Sequence, residues 1–342
     1  MNRKTLIATA VTAALAVPAY AQANDLNFDF YGSARVQVES VHPDNEDVLD
    51  SYTGVRDAYS RIGFNADYQF TEGLTLIGQL EVPFDIANKK VQDPWDQDVG
   101  EEDGQSRDIR VAQIGVQGDI GTLTYGQMWM PYYNAISYPV DMFSTYYSGF
   151  ATYTVFRRQD TISYYSPDMN GLSFAFAWSE DNGLDGDDRI QLTGSYSFGD
   201  TTVSLGMDDE RGDNDSTIVG LSLAHTMGNL YFGAKYERFY SDFDSTFRED
   251  GNTAMNVYAG YTMGQSTFKV MLADVESYGE NVVHLGYDYQ MTDAMKLFAE
   301  YYYEEETAAI TEERGGRADW YGTAPDDISG GQVFAAGMRY DF

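Results

Sequence analysis

Stretches of about ten residues in which apolar and polar positions alternate recur along the chain. In the segment 172–179 (LSFAFAWS), one face holds Leu, Phe, Phe and Trp, and the other holds Ser and Ala. The segments 28–39, 295–304 and 334–342 alternate in the same way. Because successive side chains of a strand point to opposite faces, each segment predicts a β-strand with one apolar face.

The polar faces of these predicted strands carry charges in mid-strand. A soluble β-sandwich also alternates, but its polar face looks outward and its core is apolar, whereas a transmembrane barrel turns its apolar face to lipid and its polar face to a wet lumen. Charged residues in the middle of predicted strands therefore favour the barrel. These residues are Arg35, Arg61, Glu81, Glu237 and Glu300.

The links between predicted strands are alternately short and long. Seven short turns are predicted near 71–73, 118–121, 168–171, 199–200, 226–229, 263–265 and 291–293. Eight longer links are predicted near 42–56, 87–106, 131–156, 181–187, 209–215, 241–252, 277–280 and 305–330. The predicted fold class is therefore all-β, a transmembrane antiparallel barrel of about sixteen strands, wide enough for an aqueous channel.

The amino-acid composition excludes several other classes of protein and of site. The chain has no cysteine, so a disulfide scaffold and a zinc–thiolate site are both excluded. Its mean hydropathy is −0.41, and no segment after residue 21 approaches 18 consecutive apolar residues, which excludes helical membrane spans. The 28 Tyr, 19 Phe and 33 Gly against 8 Pro suit many strands joined by tight turns.

The first residues have the pattern of a secretory signal. Arg3 and Lys4 precede an apolar run at 6–17, which is too short to cross a membrane as a helix. Small residues follow, and cleavage is predicted after Ala21, with Ala23 as a second candidate. Residues 1–21 are thus a predicted signal peptide, and 22–342 are predicted to form one barrel domain.

The net charge is −33, and it becomes −35 when Arg3 and Lys4 are removed. Of the 54 acidic residues, 30 fall in six windows at the predicted long-loop ends: 42–50, 93–108, 180–188, 208–215, 242–250 and 304–313. Acidic residues at the opening of a channel attract cations. They serve either as a solubilising rim or as weak divalent-cation sites, and no window has the spacing of a dedicated calcium loop. Nucleic-acid binding is disfavoured by the sign of the charge.

Catalytic chemistry is sparse in this sequence. The three histidines are His42, His225 and His284, and none belongs to a recognisable triad motif. The strand carboxylates Glu300 and Glu304 are better interpreted as wall charges than as general acids. No catalytic residue, resident metal or cofactor is predicted, and the protein is not expected to be an enzyme.

Five motifs carry a family resemblance: FYGSAR (30–35), YSRIGF (59–64), RVAQIGVQGDIGTLTYGQ (110–127), DTISYYSPDMNGLSFAFAW (160–178) and GMRYDF (337–342). In order and spacing they resemble the general diffusion porins of Gram-negative bacteria. The resemblance implies a homotrimer in the outer membrane that contacts lipid and lipopolysaccharide and passes small hydrophilic solutes and ions. The alternative is a substrate-specific channel for a sugar or an anion.

The resemblance also implies a constriction. In such porins the third long loop, here 131–156, folds into the barrel and faces a wall of basic residues. Arg35, Arg61 and Arg110 match that wall, together with either Arg157 or Arg158. Alignment with the family favours Arg158. The alternation of faces along the strand favours Arg157, which would lie on the same face as Ser163, and a β-bulge would reconcile the two.

The loop departs from the family in its charge. Asp141 is its one clear acidic match, since 142–159 contain no acidic residue. Tyr146, Tyr147 and Tyr153 in this loop either stack sugars or, as the favoured alternative, pack the loop against the wall. At the C-terminus, Tyr340 and Phe342 resemble the aromatic signal that the outer-membrane barrel assembly machinery recognises.

Overall fold

The computed structural model describes residues 26–46, 50–92, 109–180, 188–212, 215–242, 248–310 and 330–342. The predicted signal peptide, 1–21, lies outside these ranges. The strands are β1 Leu26–Pro43, β2 Tyr52–Asp57, β3 Arg61–Thr71, β4 Leu74–Pro83, β5 Val111–Gly118, β6 Gly121–Trp129, β7 Arg157–Tyr165, β8 Leu172–Ser179, β9 Arg189–Phe198, β10 Thr201–Glu210, β11 Ser216–Met227, β12 Leu230–Ser241, β13 Thr253–Met263, β14 Ser266–Val275, β15 Glu280–Gln290, β16 Met295–Glu304 and β17 Gly331–Asp341.

All of these strands belong to one antiparallel sheet that closes on itself. Consecutive strands pair with each other, except that β2 and β3 both pair with β1, and β17 returns to pair with β1. Both β2 and β3 pair along the same side of the long strand β1, so they form one wall strand interrupted at residues 58–60. The barrel therefore has sixteen wall strands, as predicted.

The seven short turns and eight long links also follow the prediction. The predicted bounds of the first long link were wrong, because β1 ends at Pro43 and β2 begins at Tyr52, whereas a link over 42–56 was predicted. Within 52–57 the exposed Val55 pairs opposite Val38, so this segment is strand. The six residues include Gly54 and are too few to show a clear alternation.

The two faces of the barrel have opposite polarity. Outward side chains are apolar and exposed, such as Leu205 at 60% and Phe334 at 52%. Inward side chains are polar and enclosed, and Glu39 and Glu237 are no more than 1% exposed. A soluble sandwich would show the reverse, so the predicted inversion is confirmed.

The loop between β6 and β7 contributes more of the enclosed apolar residues than any single strand does. It contains a π-helical turn, Tyr133–Ser137, followed by a 3₁₀ turn, Tyr138–Val140. Its side chains pack against those of β11 to β17 and β1 in one buried cluster. In the described part of the chain, no helix has the length and apolar character needed to cross a membrane.

Candidate functional site

The helical part of the loop 130–156 rests on three inward-facing glycines of adjacent strands. They are Gly206 in β10, Gly220 in β11 and Gly233 in β12. A Cβ atom added to Gly220 would lie 2.1 Å from the hydroxyl of Tyr132 and 2.8 Å from Ile136. The missing side chains therefore leave the groove in which this part of the loop lies.

The tip of the loop is held by a buried carboxylate of β16. Glu300 accepts the backbone N–H of Ser144 at 2.8 Å and that of Thr145 at 3.1 Å. Its charge is compensated by Lys269 at 3.1 Å, and His284 lies at the same distance. Because the carboxylate is only 5% exposed, it depends on these partners for its stability in the wall.

Two more carboxylates hold the returning half of the loop. Glu237 in β12 accepts the hydroxyl of Thr152 at 2.8 Å and pairs with Lys235 at 2.6 Å. Asp208 in β10 accepts the hydroxyl of Thr154 at 2.7 Å. The loop is thus fixed at several points on one half of the wall.

The three tyrosines predicted for the loop are buried at 5% exposure or less. The Tyr147 hydroxyl donates to Glu39 at 3.2 Å, and the guanidinium carbon of Arg56 lies 3.3 Å from the ring centre of Tyr146. The Tyr153 hydroxyl donates to a backbone carbonyl at 2.5 Å. Their rings pack the loop against the wall, which was the favoured of the two predicted uses.

Asp141 has partners within the loop itself. It accepts the hydroxyl of Tyr133 at 2.6 Å and the hydroxyl of Ser148. Burial, together with this carboxylate, raises the pKa of Tyr133 well above its usual value, so the phenol stays protonated and remains a donor. The one acidic match of the loop is thereby engaged in the loop's own structure.

The structure brings Arg35, Arg61 and Arg110 together on the adjoining part of the wall, from β1, β3 and the residue before β5. Arg35 lies within electrostatic range of the other two. Glu81 in β4 stands between Arg110, at 2.8 Å, and Arg61, at 3.6 Å. Arginines keep their charge in such a crowded group and present several donors to water and solutes.

The choice between Arg157 and Arg158 involves a bulge in β7. The register shifts between Gly126 and Met128 of β6, so that Met128 lies opposite Arg158. The guanidinium carbon of Arg157 lies 4.9 Å from the ring centre of Trp129, and its charge acts on Glu81. Arg157 therefore joins the electrostatic group of Arg61 and Arg110.

Sequence reasoning missed two further arginines of this surface. Arg56 lies over the ring of Tyr146, and Arg339 lies directly opposite Arg35 in the pairing of β17 with β1. The signal for Arg339 was available, since it shares the inward face with Asp341. The motif GMRYDF drew attention to its aromatic residues instead.

The closing strands meet at the predicted aromatic signal. The rings of Tyr340 and Phe342 stack with centroids 5.7 Å apart. Phe342 exchanges two backbone hydrogen bonds with Gly32, at 2.7 and 3.1 Å, and its ring covers that glycine on the outer face. This C-terminal residue therefore takes part in closing the barrel.

The start of the last long loop is also tied to the wall. Glu304, at the end of β16, accepts the backbone N–H groups of Ala309 at 2.9 Å and Ile310 at 2.7 Å. Residues 307–310 are no more than 4% exposed. Within the described ranges, no three His, Asp or Glu side chains form a group that could hold a metal.

Glu304→Ala is expected to free residues 305–310 from the wall. Each buried N–H left without an acceptor costs about 1–3 kcal/mol. The rate at which a protease cleaves the folded barrel within 305–330 should therefore rise. The matched control is Glu305→Ala, which removes an exposed neighbouring carboxylate. Equal cleavage of the two variants would contradict the anchoring role of Glu304.

A closed barrel of sixteen antiparallel strands, with a polar lumen and an apolar outer face, defines a channel-forming outer-membrane protein. The family model described as "Gram-negative porin" matches residues 8–309, and the chain belongs to that family. It is a multi-pass β-barrel of the outer membrane that forms a diffusion channel. The family and the fold are those of non-enzymatic channels.

Solved structures share the fold at low sequence identity. An anion-selective porin from Comamonas acidovorans is 16% identical with a TM-score of 0.70, over 93% of this chain and 100% of that one. Salmonella typhi OmpF in complex with daunomycin is 18% identical with a TM-score of 0.66, over 93% and 98%. OmpT of Vibrio cholerae in its trimer form is 17% identical with a TM-score of 0.63, over 93% and 100%. A comparison with curated protein sequences found no match.

Proposed function

We propose that this porin is a general diffusion channel for small hydrophilic solutes and ions, narrowed between the loop 130–156 and the arginine wall. The observation that carries the proposal is the division of the lumen into two halves. The loop's anchors Asp208, Glu237 and Glu300 belong to β10, β12 and β16, whereas Arg61, Arg110 and Arg157 belong to the β3–β7 side. Solutes would therefore pass between the loop and the arginines.

The burial of the three tyrosines that the sequence singled out supports a general channel over a sugar-specific one. A sugar-binding channel needs exposed ring faces in the lumen, and Tyr146, Tyr147 and Tyr153 offer little. Preference for anions is the second candidate. It is supported by the arginine group together with the engagement of Asp141 in the loop.

We further propose that the channel works as a homotrimer, which the trimeric OmpT among its structural neighbours supports. The exposed apolar girdle would contact outer-membrane lipid and lipopolysaccharide, and the terminal Phe342 would serve recognition by the barrel assembly machinery. The acidic long-loop ends would bind divalent cations weakly, without a resident metal or cofactor.

Single-channel recording in planar bilayers tests this function. We expect current steps in groups of three that rise linearly with KCl concentration and are unaffected by added sugars, because the lumen is wet and offers sugars no binding site. Small currents that one sugar blocks saturably would instead show a sugar-specific channel. A correctly folded barrel that conducts no ions would overturn the proposal.

A further inference from the structure

Three cationic side chains lie side by side on β16, β17 and β1, where the last strands of the chain pair with the first strand and close the barrel. In the strand pairing, Lys296 of β16 lies directly opposite Arg339 of β17, and Arg339 lies directly opposite Arg35 of β1. Like charges placed directly opposite on neighbouring strands destabilise a sheet. A row of three is therefore costly unless anions are present to compensate it.

The wall compensates this cationic row only in part. Asp341 pairs with Arg339 at 2.7 Å, and Asp288 pairs with Lys296 at 2.7 Å. Asp288 is shared, because Lys269 lies 3.0 Å from it. The row and its immediate neighbours thus contain more positive than negative charge.

Arg35 is the least compensated member of the row. Its Nε donates to the Ser33 hydroxyl at 2.7 Å, and that hydroxyl donates to Asp341 at 2.6 Å. Among the residues that the structure describes, no carboxylate oxygen lies within 4.0 Å of its guanidinium nitrogens. Arg35, only 8% exposed, lies within electrostatic range of three cations, Arg61, Arg110 and Arg339, and of one carboxylate, that of Asp341.

The row runs from mid-channel towards the short-turn end. Arg35 lies in the middle of β1, whereas Lys296 is the second residue of β16, directly after a short turn. The residues that hold the loop tip, Glu39 and Glu300, lie four positions from Arg35 and Lys296 towards the long loops, which is about 13 Å along a strand. The row is therefore separate from the contacts that fix the constriction loop.

We propose that the cationic row Arg35–Arg339–Lys296 is a binding site for small oxyanions, which runs from the arginine wall towards the short turns that face the periplasm in outer-membrane barrels. This inference rests on the proposed channel. An anion with several oxygen atoms, such as inorganic phosphate, matches the forked donors of two facing guanidinium groups and supplies the missing negative charge. Anions that have passed the loop are held along this row before they leave.

The test uses the full-length trimer in planar bilayers, with reversal potentials under a KCl gradient and with phosphate added as a probe. The variants are Arg35→Gln and Arg339→Gln, and the control is Arg211→Gln, which removes a rim arginine whose side chain is 57% exposed. Heat-modifiable migration on gels establishes that each variant folds.

The wild-type channel should prefer chloride over potassium, and phosphate should reduce its chloride current saturably. Each row variant should lower the chloride-to-potassium permeability ratio by about threefold or more and weaken the phosphate block, since a focused field concentrates counter-ions. The control should keep both properties.

A cation-preferring wild type, or an Arg339→Gln channel with unaltered selectivity and phosphate block, would overturn the oxyanion site and leave the channel itself standing. Failure of the proposed function gives a different result, namely the absence of conductance from the folded wild-type protein.

Discussion

Glu300→Ala is expected to detach the tip of the loop 130–156 from the wall and to raise the single-channel conductance. The substitution leaves the N–H groups of Ser144 and Thr145 without their acceptor and removes one partner of the buried pair with Lys269. Breaking a buried pair costs up to about 3–5 kcal/mol, and the cost is reduced here because Lys269 keeps Asp288 as a second partner at 3.0 Å. Current recordings should therefore show larger and noisier open levels than the wild type.

The matched control for Glu300→Ala is Glu72→Ala, which removes an exposed carboxylate from the short turn between β3 and β4. That variant should conduct as the wild type does. A folded Glu300→Ala channel with wild-type conductance and noise would show that the anchor does not position the loop.

Gly220→Val is expected to push the helical part of the loop away from the wall and to lower the conductance. The first added carbon would meet Tyr132 at 2.1 Å and Ile136 at 2.8 Å, and neither can retreat into the barrel wall. Overpacking of this kind costs about 1–3 kcal/mol. Because the displaced loop can move only towards the arginines, the passage between them should narrow.

A valine in place of Gly194 gives the comparison, because a Cβ atom there would have no atom within 4 Å. Both variants introduce a valine into the middle of a wall strand, on the outer face at Gly194 in β9 and on the lumen face at Gly220 in β11, so β-propensity affects them alike. If the two channels conduct equally, Gly220 does not seat the loop.

The barrel could be predicted because each of its strands and short turns is recognisable from a short segment of the sequence. Each strand shows its alternation within about ten residues, as in 172–179, and each short turn is marked by glycine or polar residues. The interruption of the second wall strand at 58–60 was missed. It became visible only when β2 and β3 were found on the same side of β1.

The anchoring of the loop could not be predicted in the same way. Glu300 is 156 residues from Ser144, and Glu237 is 85 residues from Thr152. Nothing near a wall carboxylate in sequence marks it as an acceptor for a distant loop. Strand parity showed which charges face inward, but only the closed barrel shows which of them meet the loop.

The row of facing cations depends on register as well as on parity. Arg339 and Lys296 have inward parity in the sequence, yet a shift of two residues in either pairing would separate them from Arg35. The register of a closing strand is set by the whole barrel. For this reason the sequence predicted the arginines of mid-wall but not their continuation across the seam.

The way in which Glu300 holds the loop bears on how such a channel can evolve. The carboxylate accepts hydrogen bonds from main-chain N–H groups, which every residue except proline provides. It therefore fixes the path of the loop without selecting the side chains of the loop. Residues of the loop that face the passage can then be exchanged with little penalty to folding. A lineage carrying this wall could acquire new solute preferences by point mutation, with the barrel as an unchanged frame.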